Sequence, residues 1–200
     1  MSTVAPPPPT SSSAVPPGPP PLYRMTVDEY DRIGGLLDDP RIELLDGYLV
    51  RKLPKNPEHS WTTKAVFKGR DNRLPPGWTW QTEQPVRIPA YDEPEPDIAI
   101  IRGSDADYKH RKPGPADVAL LVEVSDTTLS IDRGLKLSAY AREGIPVYWI
   151  VNLVDRQVEV HTGPGPAGYA MRQDFQPGQH VPVVIGGQQC APIAVDSILP

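Results

Sequence analysis

Residues 118–125 read VALLVEVS, an apolar run of strand length that carries one carboxylate, Glu123. An unpaired carboxylate in an apolar interior costs several kcal/mol and tends to take up a proton. A glutamate is kept in such a place for a metal, a partner charge or a catalytic task. On an extended chain alternate residues share a face. Val118, Leu120, Val122 and Val124 therefore fall on one side, and Ala119, Leu121 and Glu123 on the other. Glu123 lies near the C-terminal end of the strand.

The neighbouring segments decide how this strand is used. SIDRGLKLSAYAREG, residues 130–144, predicts a helix of about three turns, stopped by Gly144 and Pro146. VYWIVN, residues 147–152, is a second near-continuous apolar strand. Strand, helix and strand have the length of a right-handed crossover, so the two strands are expected side by side and parallel. PDIAII, residues 96–101, is another strand, with Asp97 at its start beside Ala99 and Ile101 on one face. If it pairs antiparallel with 118–125, its start lies beside the end of that strand, and Asp97 meets Glu123.

The rest of the chain fits around this unit. Thr26 and Glu29 have capping-box spacing for a short helix, which Gly34-Gly35 would end. Asp46-Gly47 between two apolar runs signals a hairpin. A helix is expected from Pro57 to about Leu74, with Trp61, Ala65 and the Lys68 stem along one face. Residues 79–88 predict a strand broken at Pro85. Asp155-Arg156 turns the chain so that 157–161 pairs back, and the stretch from 163 onward reads as short strands in loops. The order predicts an α/β or α+β fold: one mixed central sheet flanked by helices, with extra β-hairpins. Residues 1–22, rich in proline and serine, are expected to form a disordered tail, and 23–200 a single domain.

Composition narrows the function. The formal charge is −5 and the pI about 5.4. That argues against a protein that coats nucleic acid, though not against an enzyme with a local basic patch. One cysteine, Cys190, excludes an internal disulfide and a zinc site built on cysteine pairs, and suits the cytoplasm. No apolar run has the roughly 18–20 residues of a membrane span. Walker A, Rossmann, H-E-x-x-H and G-x-S-x-G patterns are absent. A glycosidase would also use two carboxylates, but no sugar-binding aromatic pattern accompanies them.

Two close carboxylates repel, so one takes a raised pKa or both share a divalent cation. In the helix after Glu123, Asp132, Lys136 and Tyr140 follow at spacings of four, with Ile131, Leu135 and Ala139 as the adjacent apolar stripe. Lys136 therefore leans toward the sheet end that holds Glu123. Two acids, a lysine and a metal suit phosphodiester hydrolysis. Basic groups at 51–55, at Lys64, Lys68, Arg70 and Arg73, and at 109–112 are candidates for phosphate contacts.

Pro96-Asp97 followed by Glu123-Val124-Ser125 resembles the PD-(D/E)XK nuclease superfamily, with serine where that pattern has lysine. IELLDGYLV, PEHS, PEPDIAII, LLVEVSDTT, DRGLKLSAYAREGIPVYWIVN and IAVDSILP, in that order, resemble one bacterial branch, the Uma-two type restriction endonucleases. The similarity runs from about Tyr23 to Pro200. It implies a restriction-endonuclease-like sheet and a Mg²⁺-dependent DNA endonuclease, with Mn²⁺ as a substitute. Asp97 and Glu123 match the metal-binding acids, Lys136 a lysine carried on the helix, and Glu43 a further acid near the centre. Ser125 leaves open a nuclease-like module that binds nucleic acid with little or no catalysis. Cutting two strands leaves open a homodimer.

Overall fold

The computed structural model describes residues 21–37, 39, 41–68 and 74–200. The expected tail lies outside them except for Pro21 and Leu22, as do Arg70, Arg73 and the end of the expected second helix.

The first described element is α1, Val27–Ile33. Its capping box forms as the sequence predicts: the Thr26 hydroxyl accepts from the Glu29 N–H, and Glu29 accepts from the Thr26 N–H. Strands β1 (Ile42–Leu45) and β2 (Tyr48–Arg51) pair antiparallel. Asp46 and Gly47, both at positive φ (50° and 80°), turn the hairpin. Gly47 is required there, because a Cβ would come within 2.7 Å of the Arg24 Cβ. Helix α2, Pro57–Phe67, starts at Asn56, whose side chain accepts from the His59 N–H.

The central sheet has six strands in the order β3-β4-β5-β6-β7-β8. They are β3 (Trp78–Gln81), β4 (Ile98–Arg102), β5 (Val118–Ser125), β6 (Val147–Asn152), β7 (Gln157–Gly165) and β8 (Gly168–Phe175). As expected, β5 and β6 are parallel, and β4 and β5 antiparallel. Between β5 and β6 the chain runs through α3 (Leu129–Ile131), a π-helical turn (Asp132–Lys136) and α4 (Leu137–Arg142). A second hairpin, β9 (His180–Ile185) with β10 (Gln188–Ala194), stands apart from the main sheet.

Each sheet face buries its own cluster. Ile98, Ile100, Leu120, Val122, Trp149 and Val151 face Val66 of α2, the β9–β10 hairpin, Ile198 and Leu199. Ala99, Ile101, Leu121, Tyr148 and Ile150 face Tyr140 and Ile145. Glu123 shares this second face.

Four local expectations are corrected. The β4–β5 register shifts between Ile100 and Ile101, which makes Ala119 an extra residue. Val118 and Ala119 therefore exchange the faces that strict alternation assigns them. Trp61 is about half exposed, and α2 turns Thr62, Thr63 and Val66 inward instead. The strand expected over 79–88 ends at Gln81, ahead of Glu83 at φ 53° and Pro85. Residues 163–175 are not short strands in loops: β7 runs to Gly165 and pairs with β8 up to Gly168. Pro164 and Pro166 lack an N–H, which hides this long hairpin from a sequence reading.

Leu121 is fully buried in the central strand. Leu121→Ala is expected to lower the unfolding free energy by about 2–5 kcal/mol in a urea titration. A loss below about 1 kcal/mol would mean that β5 is not the centre of the packed core.

Candidate active site

The site is built where β4 begins and β5 ends. Ile98 pairs with Val122, so Asp97, one residue earlier, falls opposite Glu123. Asp97 Oδ2 accepts the Val124 N–H at 2.8 Å, which ties the two strands together at this point. Both carboxylates are buried, Asp97 at 5 % and Glu123 at 3 % exposure.

Glu123 receives two donors on the same oxygen. Lys136 Nζ donates to its Oε1 at 3.0 Å and the Tyr140 hydroxyl at 2.9 Å. The same lysine lies 3.5 Å from Glu43 Oε1 and 3.9 Å from Asp132 Oδ1. Glu43 reaches the centre from β1, and its Oε2 accepts the Glu95 N–H. Arg41 and Arg51, its neighbours along the hairpin, pair with Asp39 instead. All four acids and Lys136 sit at the wall of one open cavity of about 350 Å³.

The helix delivers Lys136 by an unexpected route. The Leu137 N–H reaches back to the Asp132 carbonyl, five residues earlier, so the helix widens by one residue. Lys136 and Tyr140 then both face Glu123. The apolar stripe does not survive the insertion: Ala139 is buried, but Leu135 is 41 % exposed.

Two further residues belong to the site. Lys55 Nζ donates to Asp97 Oδ1 at 2.7 Å and also pairs with Glu83. His59 Nε2 lies 3.2 Å from Asp97 Oδ2. Their spacing of four, straddling the start of α2, is the signal by which they could be found. Sequence alone leaves His59 open between a phosphate contact, a cap at the helix start and a plain polar helix histidine, and places Lys55 in the basic run 51–55. Asp126 accepts from Asn56 Nδ2, so the turn after β5 holds the N-cap of α2. The basic run at 109–112 does not join the site: Arg111 pairs with Asp117, and Lys112 with Asp31 and Glu93.

The electrostatics separate the two acids. Burial pushes the Glu123 carboxyl well above its ordinary range, with Asp132, Asp97 and Glu43 adding to the rise and Lys136 opposing it. Burial also pushes Asp97 up, but the hydrogen bond and charge of His59, with Lys55, outweigh it and hold Asp97 at about 2. Lys136 is the reverse of a typical buried lysine. Burial favours its neutral form, and Glu123, Glu43 and Asp132 together overcome that and raise its pKa.

A family model described as "Putative restriction endonuclease", Uma2, matches residues 27–194. The chain belongs to the Uma2 family. No curated protein matches it. Among solved structures, a protein from Anabaena variabilis described as "a putative nuclease belonging to DUF820" matches with a TM-score of 0.65 and 14 % identity. The match covers 87 % of this chain and 97 % of that one. At that identity the likeness speaks for the fold, which is the nuclease-like mixed sheet expected from the sequence.

A metal site in this Uma2 chain rests on its own donors. Among the described residues, no group of three or more His, Cys, Asp or Glu side chains forms a ready metal cage. Adjacent carboxylates nevertheless suit Mg²⁺, which is commonly held by one or two of them, with water and substrate phosphate completing the shell. Asp97 and Glu123 fit that pattern, and Glu43 and Asp132 add oxygen nearby.

The low value of Asp97 has a consequence for stability. A carboxyl whose folded pKa lies below its ordinary 3.8 stabilises the fold above that pH, and the contribution fades as pH falls through about 2. In EDTA, the difference in unfolding free energy between wild type and Asp97→Asn is expected to shrink over that interval. Urea melts at stepped pH read it. A difference that stays constant would show that Lys55 and His59 give Asp97 no net stabilisation.

Proposed function

We propose that this protein is a divalent-metal-dependent DNA endonuclease that hydrolyses phosphodiester bonds in the cavity between β1, β5 and α2. The observation that carries the reading is the pairing of Asp97 with Glu123 at a sheet edge, with Lys136 bonded to Glu123, open to a cavity. In this reading Asp97 and Glu123 hold the metal, Mg²⁺ or in its place Mn²⁺, and Glu43 lies beside them. When bound, the cation supplies Lewis-acid activation of water and neutralises charge at the phosphate.

The chain's own groups do the rest. Lys136 is held cationic by three acids and stands ready to stabilise negative charge that develops on the phosphate, or to orient a water. Tyr140 fixes the rotamer of Glu123. Lys55 and His59 lie on the cavity side of Asp97, where they meet the substrate first, and exchange their bonds to Asp97 for bonds to phosphate oxygens. DNA as substrate, cytoplasmic location and a homodimer for double-strand cleavage belong to this proposal. Among the described residues no helix is long and apolar enough to cross a membrane.

A second reading has its own observation. Lys55, His59 and the Val124 N–H already satisfy both oxygens of Asp97, and Ser125 stands in the slot where the superfamily pattern has lysine. A module that binds nucleic acid without cutting it fits those facts.

A supercoiled-plasmid nicking assay with Mg²⁺, Mn²⁺ or EDTA separates the two. Nicking is expected to need metal and to fall by about 100-fold or more in Asp97→Ala, Glu123→Ala and Lys136→Ala. Metal-dependent nicking that persists in Asp97→Ala would remove the assignment of the site. Tight DNA binding with no cleavage under any metal would favour the second reading.

A further inference from the structure

Lys136 is on a helix, yet it must hold its ammonium against Glu123 as firmly as a lysine on the strand would. A helix lysine has four rotatable bonds and a backbone that is free to shift. Four contacts around the π-helical turn limit that freedom. Ser125, in the slot that the superfamily pattern gives to lysine, donates its hydroxyl to Asp132 Oδ2 at 2.7 Å. Thr128 donates to the same oxygen at 2.7 Å. The Tyr148 hydroxyl donates to the Asp132 carbonyl at 3.1 Å, the same carbonyl that accepts the long Leu137 N–H bond. Arg133, the next residue of the turn, forks onto Glu159: Nε donates to Oε2 at 3.0 Å and Nη2 to Oε1.

Glu159 lies on β7, two strands away from Glu123. In register it stands beside Ile150, which stands beside Glu123. It is fully buried, and nothing in the proposed chemistry uses it. Asn152 donates to its Oε1 at 2.7 Å, and Arg172 lies 3.4 Å from its Oε2. Glu159 is thus fixed to the sheet on its own account and serves as an anchor. The turn is held at both ends of its first two residues: Asp132 to β5 and β6, Arg133 to β7.

We propose that Glu159, through Arg133, and Ser125, through Asp132, are positioning residues that lock the π-helical turn and so aim Lys136 at Glu123. The serine that departs from the motif is in this account part of the replacement for it. A lysine on the strand is fixed by the sheet itself. Moving it to the helix requires the helix to be fastened to the sheet, and these two links do that. The inference rests on the proposed role of Lys136 in the site, but its structural half stands without any activity.

Two readouts keep those halves apart. In the first, surface amines are acetylated with a limiting reagent and mapped by peptide mass spectrometry. Lys136 is expected to be protected in wild type and to label in Glu159→Gln and in Arg133→Gln, while the exposed Lys64 and Lys68 label equally in all three. The second is a kinetic double-mutant cycle on plasmid nicking. Glu159→Gln is expected to lower kcat about tenfold with KM within about twofold, and to add nothing in a Lys136→Gln background. A fully additive loss would overturn the positioning role, as would Lys136 staying protected in both variants. Arg133 is partly exposed, so Arg133→Gln serves as the variant that folds if Glu159→Gln does not. Failure of wild type to nick any substrate would count against the proposed function, and the labelling would still decide the inference.

Discussion

Glu123 is a carboxylate in the central strand of a six-stranded sheet, and the burial of that one group sets the terms for what surrounds it. A charge there is tolerated only with a partner of opposite sign and with hydrogen bonds on its oxygens. Lys136 supplies the first, and Lys136 and Tyr140 supply the second. Lys136 is itself buried, so it in turn needs Glu43 and Asp132 within reach. Glu43 needs β1 beside the sheet, and Asp132 needs the widened turn. The site is a closed chain of compensations, in which removing one member leaves a buried charge without its counterpart. This explains why a short hairpin, a central strand and an irregular helix, far apart in sequence, converge on one point.

The same logic separates the two acids that face each other. Glu123 is neutralised from within, by a lysine held in the protein core. Asp97 is neutralised from outside, by Lys55 and His59 at the start of α2, which line the open cavity. The inner pair is fixed by packing. The outer contacts are at the mouth, where the Asn56 cap held by Asp126 ties the start of α2 to the end of β5. On the proposed function, a phosphate that arrives at the mouth meets Lys55 and His59 first. The lysine bound to Glu123 lies deeper.

Much of this was legible in the sequence, for reasons that differ by residue. Asp97 opposite Glu123 follows from strand polarity alone, because an antiparallel partner must bring its start to the other's end. The parallel β5–β6 pair follows from the length of the crossover. Lys136 beside Glu123 follows from the helix face, although the π-helical turn that achieves it leaves no periodic signal, and Leu135 is exposed as a result. The bulge at Ala119 is equally silent, since one extra residue in an apolar run changes no pattern. Lys55 and His59 were legible only as candidate phosphate contacts, because their pairing with Asp97 depends on where α2 docks, a tertiary fact. Glu159 was read only as part of a strand that pairs back. Its partner Arg133 is 26 residues away in sequence, and no local pattern joins them.

The cavity wall carries seven carboxyl groups, with Glu123 pushed toward its neutral form, against five lysine and arginine side chains and His59. A wall so balanced offers a polyanion no net attraction, and low-dielectric walls strengthen the effect of each charge left unpaired. The pairings that hold the site together do not relieve this, since they cancel charge only up to the number of cations present. On the proposed function, substrate entry therefore calls for added positive charge that arrives with the phosphate or before it. In that reading, a divalent cation held by Asp97 and Glu123 would supply that charge where the scissile group would sit. By linkage, a cation bound there would bind more tightly with the phosphate present, and the phosphate more tightly with the cation. On that proposal the scarcity of free positive charge in the wall would make binding of the two ligands cooperative, and a site with enough lysines to attract DNA unaided would lose that coupling.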